Sequence, residues 1–284
     1  MFPIDFHCHS TFSDGTLTPT QLVVAARYAG VKGLALTDHD TTEGVKEFLE
    51  AGEKYGFKTI GGVELSVNFS GTTHLLALEV GKGKIIDFNL AFLQEYRNDR
   101  NLKIFKALEQ LGLEISWERI LEISGSGQMG KPHFARALME KGYATNIQEA
   151  FFKYLGKGKP AYVQKVRLGL IEALILVLKA GLAPVLAHPI TMELEDSHFI
   201  KDLALLKEKG LVGLEVYHPK QSLERSKFFL KVARDNDLVV TTGSDYHGAN
   251  KNTPLTWVRD NCPPNPGTLE RLEQGLKNTL ERLF

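Results

Sequence analysis

Residues 3–16 read PIDFHCHSTFSDGT, an apolar run that gives way to a Ser/Asp/Gly loop with two histidines, His7 and His9, one residue apart at the junction. Successive side chains of a strand point to opposite faces, so His7 and His9 share one face while Cys8 points to the other. Two imidazoles side by side on one face are costly without a partner. What partners them decides how the rest of the chain is read.

Outward from this stretch, apolar runs with β-branched residues alternate with segments of helical period, the pattern of β-α units around a parallel sheet. Seven strands are predicted, at 3–7, 33–37, 59–64, 73–80, 183–188, 212–216 and 238–243, with helices at 18–29, 43–55, 169–180, 199–209 and 223–236. Thr18 and Pro19 in TLTPTQL suit the N-cap and first position of the first helix. From about 85 to 166 the pattern changes to several helices joined by short polar loops such as SGSGQMG and LGKGKP. The expected organisation is a barrel part at 1–84, a helical insertion at 85–166 and a second barrel part at 167–284.

Composition bounds the function. A chain of 284 residues can bury a large core as one α/β barrel or two smaller domains. Lys plus Arg and Asp plus Glu balance at 34 each, so no net field advertises a nucleic-acid or membrane partner. No charged-then-apolar leader and no bilayer-length apolar run is visible, and a cytoplasmic location is expected. Cys8 and Cys262 form neither a CxxC pair nor a disulfide framework, which fits a reducing compartment and excludes a thiolate zinc site.

Residues of metal-binding type gather at the predicted strand ends. His7 and His9 follow the first strand, Asp38, His39 and Asp40 the second (LALTDHD) and Glu64 the third (GGVEL). His188 follows the fifth (VLAHP), Glu215 and His218 the sixth (LEVYHP), and Asp245 and His247 the last (TTGSDYH). In barrels of β-α units chemistry collects at the C-terminal mouth. His74 opens the fourth strand and breaks the rule, so that strand either begins later or is short and bent. Seven of the nine histidines are clustered in this way, whereas His198 reads as an ordinary helix residue. Glu215 reads as a buried structural carboxylate, satisfied by backbone or by Tyr217. Imidazoles and carboxylates without thiolates suit Zn, Mn or Fe. About nine candidates, His7, His9, Asp14, His39, Glu64, His74, His188, Asp245 and His247, exceed the roughly three protein ligands of a single catalytic zinc. Two or three metals are expected.

These motifs in order, HxH, SDG, TDHD, GVE, AHP and GSDYH, resemble those of the PHP (polymerase and histidinol phosphatase) superfamily. MGKPHFARAL, YLGKGKP and AYV extend the resemblance through the insertion to the stand-alone phosphoesterases that act on nucleoside 3′,5′-bisphosphates and the ends of short RNA. The resemblance implies a distorted seven-stranded (β/α)7 barrel holding a trinuclear centre of Mn, Fe or Zn. His7, His9 and Asp245 would hold one metal, Glu64 would bridge to a second completed by His74 and His188, and Asp14, His39 and His247 would hold the third. Asp38 and Asp40 then orient ligating imidazoles, with Asp38 an alternative direct ligand.

The implied activity is hydrolysis of phosphomonoesters of small nucleotides through attack of a metal-bridging hydroxide. The substrate would be a 3′,5′-bisphosphate or the 5′ end of a short RNA. Glu64 and Asp245 would be catalytic, and His218 a candidate to protonate the leaving oxygen. Arg97 and Arg100, three apart on a predicted helix, and Lys131, His133 and Arg136 at a Gly-Pro turn into another, are candidates for a second anion subsite. Histidinol phosphate hydrolysis is the alternative activity, and a non-catalytic metal-binding module the alternative class. Neither a membrane nor a stable duplex nucleic acid is an expected partner. Gln221 stands where relatives often carry histidine, a departure that bears on leaving-group chemistry.

Overall fold

The computed structural model describes residues 4–81, 83–88, 90–125, 129–164, 167–263 and 266–283. It divides into two compact units, Met1–Asn89 with Leu168–Phe284, and Leu90–Arg167. The first unit starts with β1 (Asp5–Cys8), α1 (Pro19–Tyr28), β2 (Leu34–Leu36), α2 (Val45–Tyr55), β3 (Thr59–Asn68) and β4 (Thr73–Leu78). The second unit is helical: α3 (Ala91–Gln110), α4 (Trp117–Ser124), α5 (Lys131–Glu140) and α6 (Ile147–Ala150), which runs into a π-helical turn at Phe151–Leu155. The first unit then resumes with β5 (Leu168–Gly169), α7 (Leu170–Lys179), β6 (Ala183–Leu186), α8 (Asp196–Glu208), β7 (Gly213–Tyr217), α9 (Leu223–Asp235), β8 (Val239–Thr242), α10 (Trp257–Asn261) and α11 (Thr268–Leu283).

The sheet order is β1-β2-β3-β4-β6-β7-β8, with β5 paired to β3 off this path. Bonds between the end of the first strand and the segment that follows the last bring the ends of the path together: Asp245 N donates to His7 O and His9 N to Tyr246 O, both at 2.9 Å. The result is a nearly closed seven-stranded barrel ringed by helices. Every residue of β1, β2 and β6 is buried, as expected where helices cover one face and the barrel interior the other. The N-terminus of α1 is fixed as its sequence implies: Thr18 accepts from Gln21 N, the Gln21 side chain returns a bond to Thr18 N, and Pro19 begins the helix.

One strand departs from the parallel pattern. β4 pairs antiparallel with both β3 and β6, with Ser66 opposite His74 and Leu75 opposite Leu186. His74 is therefore neither on a late strand nor on a bent one: the strand is reversed, and its beginning lies at the mouth where its neighbours end. β3 likewise runs past Glu64 to Asn68, because its continuation is paired by the β4 hairpin. The two-residue β5 is too short to leave an alternation in the sequence.

The helical unit has its own core, in which Ile104, Leu108, Ile120, Phe134, Leu138 and Leu155 are fully buried and Trp117 packs edge-on against Phe105. Among the described residues no helix is long and apolar enough to cross a membrane.

Gly243, just after β8, is required by close approach. A Cβ there would lie 1.9 Å from Glu215 Oε1 and 2.5 Å from His7 Cβ. Gly243→Ala should therefore destabilise the barrel by about 1–3 kcal/mol, the usual range for overpacking. A urea midpoint unchanged from the parent chain would contradict the packing described here.

Candidate metal centre

The barrel mouth is organised around Glu64, a fully buried carboxylate on β3. Its Oε1 lies 2.6 Å from His74 Nδ1, 2.9 Å from His188 Nε2 and 3.3 Å from His7 Nε2. Oε2 lies 2.8 Å from His39 Nδ1 and 3.4 Å from His9 Nε2. A second carboxylate, Asp245, places Oδ1 3.3 Å from His9 Nε2 and 3.7 Å from His7 Nε2. Asp14, a third exposed, lies 3.1 Å from His247 Nε2 and 3.9 Å from His39 Nε2. All nine candidate ligands thus converge. They form four overlapping groups of donor atoms: His9, Asp14, His39 and His247; His7, His9 and Asp245; His7, Glu64 and His188; and His39, Glu64 and His74.

The hydrogen bonds behind the rings test whether this set suits cations. His7 Nδ1 donates to Glu215 Oε1 at 3.0 Å, and His247 Nδ1 to Asp245 O at 2.8 Å. His188 Nδ1 meets Thr191 Oγ1 at 2.7 Å, and that hydroxyl spends its own proton on Thr72 O. With the outer N–H committed, a neutral ring turns its lone pair inward, towards a carboxylate oxygen. Two acceptors facing each other repel unless a proton or a metal cation lies between them. The buried atoms His7 Nε2, His9 Nε2, Glu64 Oε2 and His247 Nε2 make no hydrogen bond at all, a rare condition for buried polar groups. Oxygen and nitrogen donors in this number fit divalent transition metals, and the residues present suit such ions.

Electrostatics mark the same groups. Burial pushes His7 down, but Glu64 and Glu215 outweigh it and hold the ring well above an ordinary imidazole, so a cation there would take the place of a proton. Burial pushes the Glu64 carboxyl up, yet the imidazoles of His74, His39 and His7 outweigh it and hold the group well below the carboxylate range. Asp245 is also held low, burial being outweighed by the His218 and His9 rings that face its oxygens. Burial, together with the facing His247 and His39 rings, pushes His9 well below an ordinary imidazole. The centre is a set of ionised carboxylates and, at His9, a neutral nitrogen donor, the protonation states metal binding needs.

Other polar residues hold the candidate ligands in place. Glu215 accepts from His7 Nδ1 and, through Oε2, from His188 N at 2.6 Å; its partners are the backbone and His7, and Tyr217 is not among its described bonds. Asp38 accepts from Ser10 N at 2.7 Å, Ser10 Oγ at 2.6 Å and Ser13 Oγ at 2.5 Å, which pins the loop carrying Asp14. Asp40 accepts from Ser66 N at 2.8 Å. Three residues at the mouth, Asp40, His188 and Asp245, take positive φ without being glycine (52°, 25° and 51°). Such strain, of order 1–3 kcal/mol per residue, persists only where surrounding bonds over-determine it. His218 packs beside His188, with ring centroids 5.3 Å apart. Gln221 turns its amide to Val216 O at 2.6 Å. His198 is exposed on α8.

The helical unit gathers cations. Arg97 and Arg100 lie on α3, Lys131, His133 and Arg136 on α5. Arg100 Nε donates to Val163 O at 3.0 Å, and Lys131 Nζ sits 4.2 Å above the Tyr162 ring. Gly130 N donates to His133 Nδ1 at 2.9 Å, so the neutral ring carries its hydrogen on Nε2. Arg136, further along α5, is half-buried. Burial and then Arg97 push Arg100 down to about 10, and burial followed by Arg100 and Arg167 pushes Lys131 down to about 8. Arg167 thus belongs to the group, although neither motif nor helical spacing marks it; its signal is only the run of basic residues from Lys157 onward.

A model of the PHP domain matches residues 5–159. A 5′-3′ exoribonuclease from Haemophilus influenzae is 33% identical over 258 residues, covering 89% of this chain and 91% of the relative. A 3′,5′-nucleoside bisphosphate phosphatase from Chromobacterium violaceum is 30% identical over 267 residues, covering 93% and 94%. A solved structure from Bifidobacterium adolescentis, described as a metal-dependent phosphoesterase, superposes with a TM-score of 0.81 at 29% identity over 96% of each chain. Histidines and carboxylates gathered at a barrel mouth, on a chain matched over more than half its length, place this protein in the PHP-domain family of metal-dependent phosphoesterases.

Proposed function

We propose that the protein hydrolyses phosphomonoesters of small nucleotides, removing the 3′-phosphate of nucleoside 3′,5′-bisphosphates and acting also on the 5′ end of short RNA. The observation that carries this reading is the gathering of nine imidazoles and carboxylates at the barrel mouth, a set that suits divalent ions and, through them, a phosphate. The nucleotide part of the reading falls to the helical unit, where burial and neighbouring guanidinium groups lower the pKa of Arg100 and Lys131. Paired basic groups of this kind would be surplus for the phosphate monoester of an amino alcohol. The names of the relatives from H. influenzae and C. violaceum support the same substrate class.

In this reading His7, His9 and Asp245 would hold one ion, Glu64, His74 and His188 would hold a second, and Asp14, His39 and His247 would hold a third. Bound divalent ions would lower the pKa of water and neutralise charge on the phosphoryl oxygens. The chain's own contribution is placement. Glu215, Thr191 and the Asp245 carbonyl fix the rings of His7, His188 and His247 with lone pairs inward. His218, whose Nδ1 accepts from Lys220 N at 3.1 Å, carries its hydrogen on Nε2. That N–H is a candidate donor to the leaving oxygen. His133, Arg136 and the cation group would read the parts of the substrate beyond the reacting phosphate.

Four measurements check this reading. Phosphate release from adenosine 3′,5′-bisphosphate, AMP, histidinol phosphate and a 5′-phosphorylated short RNA, with Mn, Fe and Zn in turn, should favour the bisphosphate. A preference for histidinol phosphate would overturn it. Glu64→Gln should remove turnover and lower the metal content found by elemental analysis; full activity would disprove the shared-ligand role. Lys131→Gln with Arg167→Gln should raise KM for the bisphosphate about tenfold, the scale of a lost charge-assisted hydrogen bond, and alter KM for an aryl phosphate far less. The free Lys131 amine loses its proton as pH rises through about 8. Bisphosphate KM should therefore be lowest below that pH and climb above it, a slope that the double variant flattens.

A further inference from the structure

Asp245 presents its two oxygens to different company. Oδ1 faces the imidazoles of His9, His7 and His247, while Oδ2 lies 2.7 Å from Lys251 Nζ, 3.5 Å from His218 Nε2 and 3.9 Å from Lys220 Nζ. These three donors come from two loops, the turn between β7 and α9 and the segment after β8. His218 Nε2 is buried, carries the ring's hydrogen, and makes no hydrogen bond although it points at Oδ2. Lys251 follows a short turn that is tied to the Asp14 loop, with Ala249 N donating to Thr16 Oγ1 at 3.0 Å and Asn250 Nδ2 to Asp14 O at 2.7 Å.

One carboxylate oxygen cannot satisfy two ammonium groups and an imidazole N–H. Asp245 carries a single negative charge, already shared with the rings on its other oxygen. Ammonium groups beside a centre built for divalent cations are repelled by them unless an anion intervenes. Both lysines can move towards one, since their side chains are 35% and 53% exposed at Lys251 and Lys220 and have flexible stems.

We infer that Lys220 and Lys251, with His218 Nε2–H as third donor, form a clamp for the non-bridging oxygens of the reacting phosphate. The clamp favours a terminal phosphate dianion over the monoanion of a diester, so release of nucleotides from RNA would be the slower of the two proposed activities. This deepens the phosphomonoesterase reading above and rests on it. Lysines that only steadied Asp245 would instead govern how well metal is held.

The test uses the metal-loaded protein and the variants Lys220→Gln, Lys251→Gln and both together. Inorganic phosphate binding is followed by calorimetry, metal content by elemental analysis, and kcat/KM with 4-nitrophenyl phosphate and bis(4-nitrophenyl) phosphate. In the double variant phosphate binding and the monoester-to-diester ratio should each fall about tenfold, one charge-assisted contact, with metal per chain unchanged. Parental phosphate affinity and ratio would overturn the clamp, and so would loss of metal in step with loss of phosphate. If the parent turned over neither ester, the monoesterase reading would fail, while phosphate binding would still decide the clamp.

Discussion

A single buried charge governs the mouth of the barrel. Glu64 has no access to solvent, and taking a carboxylate out of water is tolerable only when donors or cations surround it. Five imidazoles do so, from β1 and the residue after it, from the ends of β2 and β6, and from β4. The peculiar features of the fold serve that convergence. A β4 running with its neighbours would carry His74 to the opposite end of the barrel; reversed, it delivers the ring to Oε1. His188 and Asp245 accept left-handed backbone because His188 N is bonded to Glu215 and Asp245 N to His7 O.

Around this carboxylate stands a set of groups that never face the centre but decide what it can be. Glu215 links His7 to the His188 backbone, and Gly243 leaves room for that link. Asp38 gathers Ser10 and Ser13, holding the loop from which Asp14 reaches His247. A ring fixed through its outer nitrogen has one tautomer and one direction, so the candidate ligands are already organised in the folded chain. A site arranged in this way would lose little conformational entropy on taking up an ion, and its side chains form part of the folded core.

Much of this was legible in the sequence because the relevant signals are local. His7 and His9 share a strand face by spacing alone, and the TDHD, AHP and SDYH segments each announce the end of a buried strand. The seven strands of the barrel path and five of its flanking helices follow from hydrophobic period and from a cap such as Thr18. The reversal of β4 was not legible, since a two-sided apolar strand reads alike in either direction and only its pairing assigns one. Glu64 looked like a strand terminus because nothing in GGVEL shows that the hairpin partner extends the strand. Long-range partnerships were equally silent: Glu215 with His7, 208 residues apart, and Arg167 with Arg100.

Net charge was the least informative quantity, and the structure explains why. The balance of 34 basic and 34 acidic residues conceals two local fields of opposite sign. The barrel mouth collects Asp14, Glu64, Asp245, Glu215, Asp38 and Asp40, whereas the helical unit collects Arg97, Arg100, Lys131 and Arg167. Carboxylates repel phosphate, so the barrel centre attracts a phosphate ester only when cations have reversed its sign. The helical unit needs no such reversal. The two fields therefore differ in kind, one conditional on metal and one permanent, and screening by salt weakens the exposed part of the second more than the buried first. A chain with its basic residues spread evenly over the surface would have the same composition and neither property.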